Sequence, residues 1–141
     1  MPAYSFQHRF VEPMLAGRKD STIRAERVRP HAFPGQPIAN YIGMRTKHCE
    51  LILRSVCTAQ LPVRLLWWPI VEVEVDGEKL PPSGLDPFAW RDGFADFDEM
   101  EAFWAEVHPG INQFRGVLIR WHAPSPDAPA AMGATIAEPE K

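Results

Sequence analysis

Hydrophobic and polar positions alternate at several places along this chain, and the alternation predicts mostly strands. Tyr4 to Phe10 alternates in the way of a first strand. Glu12-Pro13-Met14-Leu15-Ala16-Gly17 then reads as one or two turns of helix. Proline is tolerated at a helix start, where its missing N–H has no partner to lose, and Gly17 suits the left-handed residue just past the end. A strand is expected from about Ser21 to Ala25, and another over Pro37–Ile42 after a Pro34-Gly35 turn. Between them, 27–33 is polar and broken by Pro30, an exposed basic loop; Gly43 to Lys47 is a second basic connection. Cys49 to Gln60 reads as a long strand with Arg54 and Thr58 facing solvent, and Val63 to Trp68 continues the β character. Val71-Glu72-Val73-Glu74-Val75 has a clean period of two with one acidic, wet face, and Asp76-Gly77 is a hairpin turn signal.

The second half closes with a different period. Pro81 to Gly84 reads as loop, and Asp96-Phe97-Asp98-Glu99 fits a capping box. A helix then runs to about Val107, with Phe97, Met100, Phe103 and Trp104 at helical spacing, and stops at His108-Pro109-Gly110. Gln113 to Trp121 is the last strand. From Ala123 the Pro/Ala-rich segment has little to bury and is expected to be a disordered tail, leaving 1–122 as the folding unit. Five to six mostly antiparallel strands with two short helices predict an α+β fold, a small β-barrel with helices at its ends.

Composition narrows the class. With 141 residues, 45% hydrophobic and 23% charged, the chain is one ordinary globular domain able to bury a core. No apolar run approaches the ~18 residues of a bilayer span, and no signal peptide opens the chain, so the expected location is the cytoplasm, with no membrane partner. Cys49 and Cys57, eight residues apart in one strand, are out of disulfide reach of each other and are expected to be reduced core thiols. Five scattered histidines show no ligand spacing, so neither a metal nor another cofactor is expected.

The net charge of −3 conceals an asymmetry. Residues 1–54 carry nine Lys/Arg against four Asp/Glu, a net of +5, and the remainder six against fourteen, a net of −8. A basic half on an acidic protein reads as a local patch for an anionic ligand, unless the two halves interleave in space.

The candidate chemistry lies in Gly17-Arg18-Lys19-Asp20-Ser21-Thr22-Ile23-Arg24. It sets an amine and a hydroxyl three residues apart where turn becomes strand. In a flat strand such residues face opposite sides, so Lys19 and Thr22 meet only if the turn bends. This segment resembles the G-x-K-x-x-T-x-R signature of the ASCH domain, a small β-barrel of the PUA-like superfamily. Phe10 and Met14-Leu15-Ala16 before it, Pro34-Gly35, Asp92-Gly93-Phe94 and the strand Phe114–Trp121 follow that family's order over roughly residues 4 to 122.

The resemblance implies a PUA-like barrel that takes RNA or a modified nucleoside. Its N4-acetylcytidine amidohydrolase group further implies a catalytic set of Lys19, Thr22 and Asp92. Threonine needs a base to become a nucleophile, a lysine serves only with a lowered pKa, and a carboxylate orients the lysine or protonates the leaving amine. Burial, or crowding by Arg18 and Arg24, would lower that pKa. The group carries glutamate where this chain has Asp92, one methylene shorter. Arg18, Arg24, Arg27, Arg29 and Arg45 are the expected ligand-binding cations, with Trp90, read as a loop residue beside Asp92, as a stacking partner. Two other readings use the same cleft: a non-catalytic RNA- or nucleotide-binding module, favoured by the shortened carboxylate and the basic loops, and a ribonuclease. The sequence sets no oligomeric state.

Overall fold

A computed structural model describes residues 1–122; the expected tail at 123–141 lies outside the described residues. The fold is α+β, with three short α-helices and a mixed seven-stranded sheet. Strands β1 (Ala3–Phe6), β2 (Ser21–Arg24), β3 (Pro37–Ile42), β4 (Glu50–Leu66), β5 (Glu72–Val75), β6 (Glu78–Lys79) and β7 (Gln113–Trp121) are joined with helices α1 (Val11–Leu15), α2 (Leu85–Arg91) and α3 (Phe97–Val107). Among the described residues β1–β3 is the one parallel pair, and the other ladders are antiparallel.

β4 organises the sheet. The long strand expected at Cys49–Gln60 and the β character expected from Val63 form one element of 17 residues. Its first half pairs with β3, and its second half lies between β7 and β5. A register shift between Cys57 and Ala59 marks where its partner changes, since a bulge bends and twists a strand without ending it. The Asp76-Gly77 hairpin forms as expected, both residues at positive φ (54° and 83°), matching the twist of the strands it joins. The acidic face expected on β5 carries ion pairs, Glu72 and Glu74 both binding Arg64 of β4.

Four expectations are corrected. The first strand stops at Phe6, because His8–Phe10 is a tight 3₁₀ turn leading into α1. Leu85–Arg91, expected as part of a loop, is helical; Pro87 lies in its first turn, where no intrahelical N–H is required. Cys49 is exposed while Cys57 is buried, so only one cysteine is a core thiol. The sheet is not closed into the expected barrel. Among the described residues no backbone ladder joins β1 to β2; a side chain bridges them instead, the Arg24 guanidinium donating to the Ser5 carbonyl at 2.8 Å.

The core fills the space between sheet and helices with Met14, Ile38, Ile52, Leu53, Leu65, Val73, Met100, Leu118 and Ile119, all without solvent exposure. α3 begins at the expected cap, where Asp96 accepts from the Glu99 N–H at 2.9 Å, while Glu99 reaches back to the Ala95 N–H, one residue before the cap, instead of to that of Asp96. Among the described residues no helix is long and apolar enough to cross a membrane.

Candidate active site

The signature segment is fixed by what flanks it. Gly17, at φ +78°, ends α1 and turns the chain so that the Arg18 and Lys19 N–H groups both donate to the Pro13 carbonyl. Asp20 then bridges two elements, its N–H donating to the Arg91 carbonyl and its own carbonyl accepting from Trp121. Its carboxylate also takes Nε and Nη2 of Arg91, at 2.9 and 3.1 Å. Entry into β2 is thereby stitched to the end of α2 and to β7, and the bend that Lys19 and Thr22 require is present. Both side chains line one pocket of about 190 Å³ beside the unpaired edges of β1 and β2.

Lys19 is 2% exposed. Its Nζ donates to the carbonyls of Ser21 (2.6 Å) and Asp92 (2.7 Å) and lies 3.6 Å from Asp92 Oδ1. The amine also lies 4.7 Å from the centre of the Phe10 ring. Burial lowers its pKa to about 8, against the opposing pull of Asp92. Arg24 adds to the lowering. Asp92 is buried as well, and burial raises its carboxyl above the ordinary value although Lys19, Ser21 and Arg24 draw it down. Each member of the pair is therefore displaced toward its neutral form.

Asp92 closes α2, and its position follows from Gly93. That glycine sits at φ +103°, and a Cβ there would come within 2.8 Å of both Lys19 Cδ and Phe10 Cδ1. Ser21 Oγ lies 3.0 Å from Asp92 Oδ1 and holds the carboxylate in place. Thr22, 5% exposed, has its hydroxyl oxygen 3.0 Å from Arg24 Nε, which donates to it. A guanidinium in that position stabilises negative charge developing on the threonine oxygen. Phe6, Phe10, Phe94, Phe103 and Trp104 supply an apolar wall, and His108 stands at its edge, stacked on Trp104 at 5.0 Å.

Of the expected site residues, Lys19, Thr22, Asp92 and Arg24 come together. The others do not. Arg18 turns away to the end of α2, donating to the carbonyls of Trp90, Phe94 and Gly93, with its guanidinium 4.0 Å from the Trp90 ring. Trp90 is on α2, not in a loop; it is half exposed and lines no part of the pocket. Arg27, Arg29 and Arg45 line a separate depression of about 460 Å³. Sequence reasoning missed Ser21 and His108. Ser21 lies within the signature at a position free to vary, and His108 follows a helix whose length decides where it lands.

Among the described residues no group of three His, Cys, Asp or Glu is placed to hold a metal. Comparison with known proteins adds no neighbour: no family model, no curated protein and no solved structure matches this chain.

Proposed function

We propose that this chain is an ASCH-type domain of PUA-like fold that hydrolyses the exocyclic amide of an acylated cytidine, N4-acetylcytidine being the test substrate. The observation that carries this reading is a fully buried lysine amine with its pKa lowered to about 8, in one pocket with a threonine hydroxyl and a carboxyl group. The two carbonyls on Lys19 Nζ match the two N–H bonds of a neutral amine, which leaves its lone pair to take a proton. The pocket is smaller than the roughly 300–1,000 Å³ of sites for drug-sized ligands, a size suited to one ring or an acyl group.

In this mechanism Thr22 Oγ attacks the acyl carbon and its proton passes to Lys19 Nζ. Arg24 offsets the charge of the tetrahedral oxyanion. The C–N bond breaks as the Lys19 ammonium returns the proton to the exocyclic nitrogen. Water, deprotonated by Lys19, then adds to the acyl carbon of the Thr22 ester, and the C–Oγ bond breaks as the Lys19 ammonium returns the proton to Thr22 Oγ, releasing acetate. Asp92 orients the lysine.

Acetate release from N4-acetylcytidine tests the reading. Wild type is expected to turn over with an acid limb near pH 8, where Lys19 loses its proton. Lys19→Ala and Thr22→Ala each lose about a hundredfold or more, and Asp92→Glu, reaching further into the pocket, raises the rate. No acetate from any form would remove the hydrolase reading.

A second reading rests on the same bonds. Lys19 Nζ is held by two carbonyls and Asp92 by Ser21, the arrangement of a rigid binding pocket that takes a base without chemistry. Binding of N4-acetylcytidine without turnover would select it.

A further inference from the structure

His31 is a buried titratable side chain, 7% exposed, that takes no part in the hydrolysis proposed for the pocket. Its Nε2 lies 2.8 Å from the Ala25 carbonyl and its Nδ1 3.0 Å from the Tyr4 hydroxyl. A carbonyl only accepts, so in the neutral ring Nε2 carries the hydrogen and Nδ1 accepts from the Tyr4 O–H. The Tyr4 oxygen in turn accepts from the Ala32 N–H at 3.1 Å. Every donor in this chain of bonds then has an acceptor. Gln60 of β4 holds the same segment from the other side, its Nε2 donating to the Ala32 carbonyl at 2.7 Å.

The two bonds of the His31 ring end on either side of Arg24. Ala25 is the residue that follows it, and the Tyr4 ring centre lies 5.2 Å from its guanidinium. Ser5 and Phe6 continue the same surface along β1: the Ser5 carbonyl accepts from Arg24 Nη2, and the Phe6 ring centre lies 4.9 Å from the guanidinium. Three consecutive β1 residues thus form the seat across which Arg24 reaches Thr22 Oγ. Among the described residues no carboxylate is ion-paired with this guanidinium. A long side chain gives up rotamer freedom to hold one geometry, so the rigidity of its seat decides whether Nε stays aimed at Thr22.

We propose that Tyr4 and His31 are positioning residues of the site, which together lock the ring face and the Ala25 backbone that hold Arg24 Nε on the Thr22 oxygen. The proposal rests on the reading that Arg24 offsets charge on the reacting oxygens. Neither Tyr4 nor His31 lines the pocket, so both act through Arg24.

Two substitutions break the Tyr4–His31 bond with little other change. Tyr4→Phe removes one hydroxyl, and His31→Gln keeps a donor for the Ala25 carbonyl while giving up the acceptor that faces Tyr4. In acetate release from N4-acetylcytidine each is expected to lower kcat about tenfold with KM changed by less than about twofold. The double variant should be no slower than either single one, because the pair acts as a unit. A second readout needs no turnover: the Arg24 Nε–H resonance in heteronuclear NMR of the full chain without substrate. It should be slow to exchange in the parent and faster in each variant, while the β4 amides keep their protection. If no form releases acetate, the hydrolase reading falls and the Arg24 resonance alone decides the positioning role. Equal Arg24 Nε–H protection in parent, Tyr4→Phe and His31→Gln would overturn the proposal. Losses of kcat that multiply in the double variant would also overturn it, since the two residues would then act separately.

Discussion

Lys19 concentrates the physics of the site. An ammonium buried at 2% exposure is costly, and the fold meets that cost with two carbonyls and a carboxyl group. The lowered pKa has a stability signature of definite sign. Below pH 8 folded and unfolded chains both hold the proton, and the burial penalty is present in full. Between about 8 and the ordinary lysine value of 10.5 only the unfolded chain holds it, so folded stability rises with pH. Asp92 acts in the opposite sense in acid: its raised carboxyl favours folding below the ordinary value of 3.8, and that contribution is lost as pH rises through the folded value. Urea titrations at several pH values, with Lys19→Met subtracted as background, should show wild type gaining about 2 kcal/mol between pH 8 and 9.5. A flat difference would mean that the lysine keeps its proton in the fold.

At the scale of elements, the site is the meeting of a strand entry and a helix exit. The end of α2 and the turn that follows it present carbonyls to the cations of the Gly17–Arg24 segment: Arg18 donates to Trp90, Gly93 and Phe94, and Lys19 to Asp92. A segment read from sequence as ligand-binding therefore does half its work as a helix cap. Gly93 is the residue on which the junction depends, because it alone permits both the positive φ and the approach of Lys19 and Phe10. Gly93→Ala is expected to destabilise the chain by about 2–4 kcal/mol through backbone strain and overpacking. It should also abolish whatever activity the pocket has, by moving the amine. Thermal denaturation with circular dichroism checks the first part and the acetate assay the second. A variant as stable as wild type would show that the junction has room to relax.

At the scale of the molecule, one core supports both ends of the sheet. β7 lies between β2, which carries Thr22 and Arg24, and β4, which carries the rest of the sheet. Leu118, at the centre of β7, pairs in register with Ile23 and Leu61 and has no solvent exposure. Leu118→Ala should cost about 3–4 kcal/mol by cavity formation, with a single cooperative transition and an unchanged denaturant slope, because no separate core remains to unfold later. A biphasic urea curve would contradict that picture. At the same scale, β1 and β2 are not paired with each other among the described residues, and the pocket lies where a closing ladder would have run, with the Arg24 guanidinium bonded across to the Ser5 carbonyl.

Much of the fold was legible because local chemistry is strong. The β3 and β7 spans, the Asp76-Gly77 turn and the Asp96–Glu99 cap follow from alternation, positive-φ residues and side-chain capping, which act within a few residues. The same holds for the end of α1 at Gly17, whereas Lys19, Thr22 and Asp92 were candidates only as what the resemblance to a known signature implies. The placement of those candidates was not local. Whether Lys19 meets Thr22 depends on Asp20 bonding to Arg91 and Trp121, more than seventy residues away in sequence. The division of the arginines into one in the pocket, one on a helix end and three in a second depression depends on which strands pair. Residue type and spacing set what each group can do; burial, register and long-range hydrogen bonds, which only the folded chain defines, decided which groups share a space and what charge they carry there.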